Sequence, residues 1–136
     1  MDEGGHFLKS HFIEAFKRAN ITLPADDNLS ALDIGCGDTL NLSFLHHKGF
    51  NKLDAVDLKP IELREYEDYK NRNRIINLRP LQDYISLFED GYEEYFNRPH
   101  EMFNVIILSN FLHLFAGEKI DRKIIQSCIE RLKLMA

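Results

Sequence analysis

Residues 31–38 read Ala31-Leu32-Asp33-Ile34-Gly35-Cys36-Gly37-Asp38. Their first four positions are typical of a short buried strand, and the two glycines after it predict a tight turn. Asp38 or Thr39 can cap a helix that begins after the turn, and Gly49 is typical of the end of that helix. The stretch therefore predicts a strand, a glycine turn and a helix. In open α/β sheets such a turn lies at the carboxyl edge, where ligands bind.

Apolar runs and helical stripes alternate along the rest of the chain. We predict further strands at 52–58, 75–78 and 103–109, helices at 6–20, 61–74 and 120–132, and an irregular connection with a short helix at 81–100. The run at 103–109 is typical of a central parallel strand covered on both faces. This alternation predicts the α/β class, with a Rossmann-like, mostly parallel sheet and helices on both faces.

Length and composition limit the number of domains and exclude some classes of binding partner. A chain of 136 residues has room for one domain, which we expect to span 1–136. It carries 17 Lys and Arg against 22 Asp and Glu, and this net charge of −5 argues against a nucleic-acid or anionic-membrane binder. With two cysteines, no apolar stretch of membrane-spanning length and no signal-peptide apolar region, the sequence predicts a soluble cytoplasmic protein without membrane contact.

Acidic residues around the turn indicate the class of ligand. Asp57 ends the second predicted strand 20 residues after Gly37, the spacing at which a carboxylate reaches the hydroxyls of a ligand ribose. Asp33 and Asp38 flank the glycines, and acids there disfavour the pyrophosphate of a dinucleotide. Leu40 also stands where the dinucleotide fingerprint needs Gly or Ala. The pattern favours a cationic nucleoside such as S-adenosylmethionine, which carries an ammonium and a sulfonium.

Three segments resemble the Rossmann-like S-adenosylmethionine-dependent methyltransferase family over residues 31–115. They are ALDIGCGD at 31–38, DAVDLKP at 54–60 and FNVIILSNFLHLF at 103–115. Three motifs in the right order are more specific than one glycine loop. The resemblance implies S-adenosylmethionine as cofactor, S-adenosylhomocysteine as product, and methyl transfer to an acceptor that the sequence does not name. A small molecule or a protein is favoured over nucleic acid as acceptor.

The resemblance also implies a set of cofactor-binding residues. They are Asp33, Gly35, Cys36, Gly37, Asp57, Leu58, Asp83, Ser109 and Asn110. Asp33 would orient the cofactor's amino group, Asp57 would hold the ribose, and Asp83, after the predicted third strand, would accept a hydrogen bond from the adenine. His113 is a candidate general base, and the catalytic residues are otherwise not identified. Such transfer needs no metal, and no Cys/His set has zinc spacing.

Each of these residues also has a structural interpretation. Asp33 could brace the loop, Asp57 could cap a helix, and Asp83 could be a solvated acid. Cys36 is favoured as a packed residue over a nucleophile. A histidine at a helix start, such as His113, is more often structural.

Two departures from the family pattern bear on function. Thr39 replaces the third glycine of the motif, and the chain stops after the helix that follows strand four. We therefore expect a domain truncated at the C-terminus, without the last three of the family's seven strands, whose open sheet edge is covered by a homo-oligomer, a partner chain or the final helix. A truncated product, a half-domain completed by oligomerisation and a rearranged fold are the three explanations. The rival functions are a catalytically silent structural or regulatory subunit and, less favoured, a nicotinamide-dinucleotide-binding domain.

Overall fold

The computed structural model describes residues 9–18, 20, 28–66, 79–98, 101–108 and 120–132. The helices and strands in this part of the chain follow the alternation that the sequence predicts. In chain order they are α1 (Lys9–Arg18), β1 (Ser30–Ile34), α2 (Leu40–His47), β2 (Lys52–Val56), a 3-10 turn (Leu81–Asp83), β3 (Ile85–Phe88), α3 (Tyr92–Phe96), β4 (Val105–Ile107) and α4 (Ile120–Glu130).

The strands form one parallel sheet in the order β3-β2-β1-β4. Leu32 of β1 pairs with Asp54 on one side and Ile106 on the other, so β1 lies in the middle of the sheet. Parallel neighbours require a crossover on one face or the other, and α2 supplies the one between β1 and β2. The structure confirms the predicted α/β class and Rossmann-like sheet.

Each face of the sheet has its own hydrophobic core, because successive strand residues point to opposite faces. The first core holds side chains of α1, α2 and alternate strand positions, namely Phe16, Leu29, Ala31, Cys36, Leu42, Phe44, Leu45, Phe50, Leu53, Ala55, Leu81 and Ile107. The second core holds side chains of α3, α4 and the other strand positions, namely Leu32, Ile34, Val56, Tyr92, Tyr95, Phe103, Ile124 and Cys128. Full burial of a side chain such as Leu32 or Phe44 contributes about 1.5–3 kcal/mol, so both helix layers stabilise the sheet. Helices on both faces are thus confirmed.

A hydrogen-bonded carboxylate lies within the second core. Asp54 of β2 is 3% exposed, and the hydroxyl of Tyr95 donates to its Oδ2 at 2.6 Å. The Lys52 ammonium lies 3.2 Å from Oδ1 of the same carboxylate and also pairs with Glu101. A buried charge is tolerated when it is paired and hydrogen-bonded, so this group ties β2 to α3.

The third strand differs from the prediction. Strand β3 falls in the stretch 81–100, which the sequence analysis interprets as irregular, whereas the strand predicted at 75–78 lies outside the described residues. Ile85 packs against the first core and Phe88 against the second, so the strand shows no single-face alternation that a pattern could detect. The short helix predicted within 81–100 is present as α3.

Residues 61–66 are not helical, which corrects the first part of the helix predicted at 61–74. Their backbone N–H groups bond to other elements: Ile61 donates to the Glu89 carboxylate, Glu62 to the Gly37 carbonyl and Arg64 to the Thr39 hydroxyl. With these donors already used, the segment forms no helix. The remainder of the predicted helix lies outside the described residues.

The outer edge of the sheet at β4 meets the end of α4. Strand β4 is shorter than the predicted 103–109, and Phe103 instead forms an isolated parallel bridge with Leu132. The Phe103 N–H donates to the Arg131 carbonyl at 2.7 Å. Among the described residues, the chain after α4 therefore lies beside the segment that leads into β4 and runs parallel to it. The sheet has four strands in the part of the chain that the structure describes.

Candidate functional site at the glycine turn

The glycine turn joins β1 to α2 at the carboxyl edge of the sheet. Gly35 and Gly37 have φ of 79° and 60°, a left-handed backbone that glycine adopts without steric cost. The N–H groups of Gly35 and Cys36 both donate to the Val56 carbonyl, at 2.8 and 3.2 Å. The turn is therefore held against the end of β2, as the strand–turn–helix pattern predicts.

Asp57 braces this turn from the end of β2. Its Oδ2 accepts a hydrogen bond from the Gly37 N–H at 2.9 Å, and its Oδ1 accepts one from the Lys59 N–H at 3.1 Å. The spacing of 20 residues therefore brings Asp57 to the glycine turn. The carboxylate positions the loop in this structure, and its predicted role on a ribose stays a prediction. Each oxygen retains a further lone pair with which to accept a hydrogen bond.

Asp33, the penultimate residue of β1, lies at the base of the turn. It is 2% exposed, and no described residue gives its Oδ2 a hydrogen-bond partner. Burial raises the pKa of this carboxyl well above its usual value, and the nearby charges of Asp57 and Asp38 raise it further. An unsatisfied buried acceptor costs about 1–3 kcal/mol, so the Asp33 carboxylate lowers the stability of the folded chain.

Asp38 and Thr39 lie between the turn and α2. The Arg64 guanidinium pairs with Asp38 Oδ2 at 2.8 Å, and Asp38 Oδ1 accepts from the Leu40 N–H at 3.2 Å. Of the two predicted caps, Asp38 thus makes a bond to the first turn of the helix. Thr39 occupies the N-cap position without a side-chain bond to the helix, and its φ of 61° is rare for a β-branched residue.

The segment that follows β2 crosses the turn, and we call residues 61–66 the strap. Thr39 Oγ1 accepts from the Arg64 N–H at 3.0 Å and lies 3.1 Å from the Glu62 carbonyl, to which it can donate. The Glu62 N–H donates to the Gly37 carbonyl at 3.4 Å, and Ser43 Oγ donates to the Arg64 carbonyl. Sequence reasoning missed the strap because a charged segment with a patchy apolar face resembles an exposed helix.

The structure does not bring Asp83 to the site. Asp83 was expected after the third strand, but it precedes β3 and lies at the amino edge of the sheet, opposite the glycine turn. There its carboxylate is exposed and pairs with Arg79 Nε at 3.2 Å. The acid that follows β3 at the carboxyl edge is Glu89, whose Oε2 accepts from the Ile61 N–H at 2.8 Å. If the strand had been predicted at its observed position, Glu89 would have been the candidate acid at its carboxyl end.

The remaining predicted residues divide into three groups. Cys36 is buried in the first core, and burial followed by the charge of Asp33 raises the pKa of its thiol, which agrees with a packed residue. Leu58 is 73% exposed beside the turn. Ser109, Asn110 and His113 lie outside the described residues.

Among the described residues, no group of three or more His, Cys, Asp or Glu side chains is placed to hold a metal ion. Across that same part of the chain, no helix has both the length and the apolar character to cross a membrane.

Comparisons of the chain with protein-family models, with curated proteins and with solved structures found no match. The geometry of the glycine turn and its acids therefore carries the functional argument.

Proposed function

We propose that the glycine turn binds S-adenosylmethionine and that the domain transfers its methyl group to a small-molecule or protein acceptor. The observation that carries the proposal is the Oδ2 atom of Asp33, a buried acceptor that has no partner among the described residues and lies at the base of a turn on the carboxyl edge of a parallel sheet. Buried polar atoms are normally satisfied, and exceptions concentrate at functional sites.

The charge around the turn favours a cation. Asp33, Asp57 and Asp38 lie close enough for the latter two to raise the pKa of the first. A cationic group beside Asp33 would relieve that repulsion and supply the missing hydrogen-bond donor, and an ammonium does both. A phosphate would have to enter against the same charges, and the Gly37 N–H that could hold it already donates to Asp57.

The residues of the turn fit the parts of S-adenosylmethionine. Asp33 suits the ammonium, Asp57 has lone pairs for ribose hydroxyls, and Glu89, at the end of β3, lies at the edge where a base would extend. When bound, this cofactor supplies an electrophilic methyl group on a sulfonium. The chain's contribution is to hold donor and acceptor in line, since proximity and alignment supply most of the rate of such transfers.

A thermal-shift experiment tests the proposal. Saturating S-adenosylhomocysteine should raise the melting temperature, because a ligand that binds only the folded state stabilises it. 5′-Methylthioadenosine, which lacks the ammonium, should give a smaller shift. Asp33→Asn should remove the difference between the two ligands, whereas Asp83→Asn, at the opposite edge of the sheet, should retain it. If Asp33→Asn leaves the thermal shifts with both ligands unchanged, Asp33 does not bind the ammonium.

A catalytically silent subunit is the second candidate, and one observation favours it. In this structure the turn's polar groups other than Asp33 Oδ2 bond largely to the protein itself, through Asp57, Arg64 and Glu62. No thermal shift with either adenosyl compound or with NADH would favour this candidate. A shift with NADH alone would instead indicate a nicotinamide-dinucleotide-binding domain.

A further inference from the structure

Two kinds of contact hold the strap. Ile61 and Tyr66, at its ends, pack against the first core, and the Tyr66 ring meets the Phe44 ring edge-on at 5.2 Å. The described contacts of its middle are polar. They are the bonds of its backbone to the Thr39 and Ser43 hydroxyls and to the Gly37 carbonyl, the pair between Arg64 and Asp38, and the bond from the Leu81 N–H to the Glu65 carboxylate. The strap therefore has apolar ends and a middle that can detach without breaking the core.

The polar contacts of the middle occupy the groups that a ligand at the turn would approach. The Gly37 carbonyl accepts from Glu62, and the charge of Asp38 is neutralised by Arg64. Asp33, one strand position before the turn, is almost fully buried, so a ligand reaches its free oxygen only after a covering segment moves. Besides the end of β2, which is paired in the sheet, the strap is a described segment that hydrogen-bonds to the turn, at Gly37 and Thr39.

Thr39 explains why the strap is anchored here. A glycine at this position would adopt the left-handed backbone without strain but would offer no hydroxyl. Thr39 adopts the same backbone against its preference and is fully buried. Its hydroxyl accepts a hydrogen bond from the Arg64 N–H of the strap, while its single proton has the Asp38 carbonyl at 2.6 Å and the Glu62 carbonyl at 3.1 Å as acceptors. An unfavourable conformation that persists is expected where the surrounding structure uses it.

We propose that the strap is a gate over the glycine turn, latched by the Thr39 hydroxyl and by the ion pair between Arg64 and Asp38, and that a ligand enters only when this latch opens. The identity of the ligand rests on the proposed function, whereas the opening of the gate does not.

The two cysteines allow the gate to be measured without a ligand. Cys36 lies in the turn and Cys128 lies in the second core on the opposite face, and both are buried. Alkylation by iodoacetamide under native conditions, followed by mass spectrometry of the two peptides, reports opening at each site. A faster alkylation rate at Cys36 alone indicates local opening of the strap. An equal increase in the alkylation rate at Cys128 indicates global unfolding.

Two pairs of variants test the latch. Arg64→Met removes the ion pair with Asp38, and Lys59→Met removes a neighbouring positive charge whose side chain has no described contact. Thr39→Gly removes the hydroxyl while easing the backbone, and Thr39→Ser keeps the hydroxyl. Arg64→Met and Thr39→Gly should each accelerate alkylation of Cys36 about tenfold relative to Cys128, and their matched controls should not.

Calorimetric titration with S-adenosylhomocysteine provides the second measurement. Because apparent affinity scales with the open fraction, the latch variants should bind about tenfold more tightly than the parent chain. Equal alkylation of Cys36 in all five proteins overturns the gate, and so does faster alkylation with unchanged or weaker binding. If none of the proteins binds the ligand, the proposed function fails, and the gate is then judged on the alkylation of Cys36 alone.

Discussion

Asp54 on β2 and Asp33 on β1 are aspartates at buried positions of adjacent strands, 3% and 2% exposed, and they face opposite sides of the sheet. Asp54 faces the second core, where Tyr95 and Lys52 satisfy its carboxylate. Asp33 faces the other side at the glycine turn, and its Oδ2 has no partner among the described residues. An aspartate thus stabilises the fold at position 54, where it joins β2 to α3, and destabilises it at position 33, where one oxygen has no described partner.

This difference separates a structural acid from a candidate functional one. A satisfied buried carboxylate stabilises its neighbours, and its removal leaves their polar atoms unpaired. An unsatisfied one lowers stability unless something outside the chain completes it, and such costs concentrate at sites that bind ligands. The comparison predicts that substituting the two residues changes stability in opposite directions.

The largest effect is expected at Asp54. Asp54→Ala should destabilise the protein by about 3 kcal/mol, because it leaves the buried Tyr95 hydroxyl without its acceptor and opens a cavity. Urea denaturation measures this change. Tyr95→Phe alone should cost less, and the double variant should cost less than the sum of the two single variants. Simple additivity would show that Asp54 and Tyr95 are not coupled.

A smaller effect of opposite sign is expected at Asp33. Asp33→Asn should stabilise the ligand-free protein at pH 7 by about 1–2 kcal/mol, since it removes a buried charge while keeping the shape. Because the pKa of Asp33 is raised in the folded state, its contribution to stability is fully present below the unfolded value near 3.8 and is lost as pH rises. The gap between the melting temperatures of the variant and the parent should therefore widen from pH 4 to pH 7. A gap that is constant with pH would contradict the buried-charge explanation.

The smallest effect is expected at His46, whose titration must be separated from that of Asp33. His46 is buried in α2 and its Nε2–H donates to the Arg79 carbonyl at 2.9 Å. Burial lowers the pKa of His46 below 6.5, so its contribution is present above that value and is lost as pH falls below it. His46→Gln, which can keep the donor, should remove about 1 kcal/mol of acid sensitivity below pH 6 in urea titrations. If the free energy of unfolding falls by the same amount below pH 6 in the variant and the parent chain, the acid sensitivity comes from other groups.

The sequence predicted the part of the site that depends on local order along the chain. Gly35 and Gly37 follow a short apolar run, and Asp57 ends the next strand, so their meeting follows from the geometry of one strand–helix–strand unit. The prediction for Asp83 failed because it depended on the position of the third strand. That strand, β3, has apolar residues on both faces, and its position follows from pairing with β2.

The amino-acid order by itself determined the α/β class, the two helix layers and the acidic glycine turn, because each follows from periodicity and spacing within about 20 residues. Tertiary structure alone decided which carboxylate is satisfied, which acid follows β3, and that residues 61–66 cross the turn. These outcomes depend on partners far apart along the chain, such as Asp54 with Tyr95 and Ile61 with Glu89. No local pattern encodes such pairs, since only the packed sheet brings their atoms within hydrogen-bond distance.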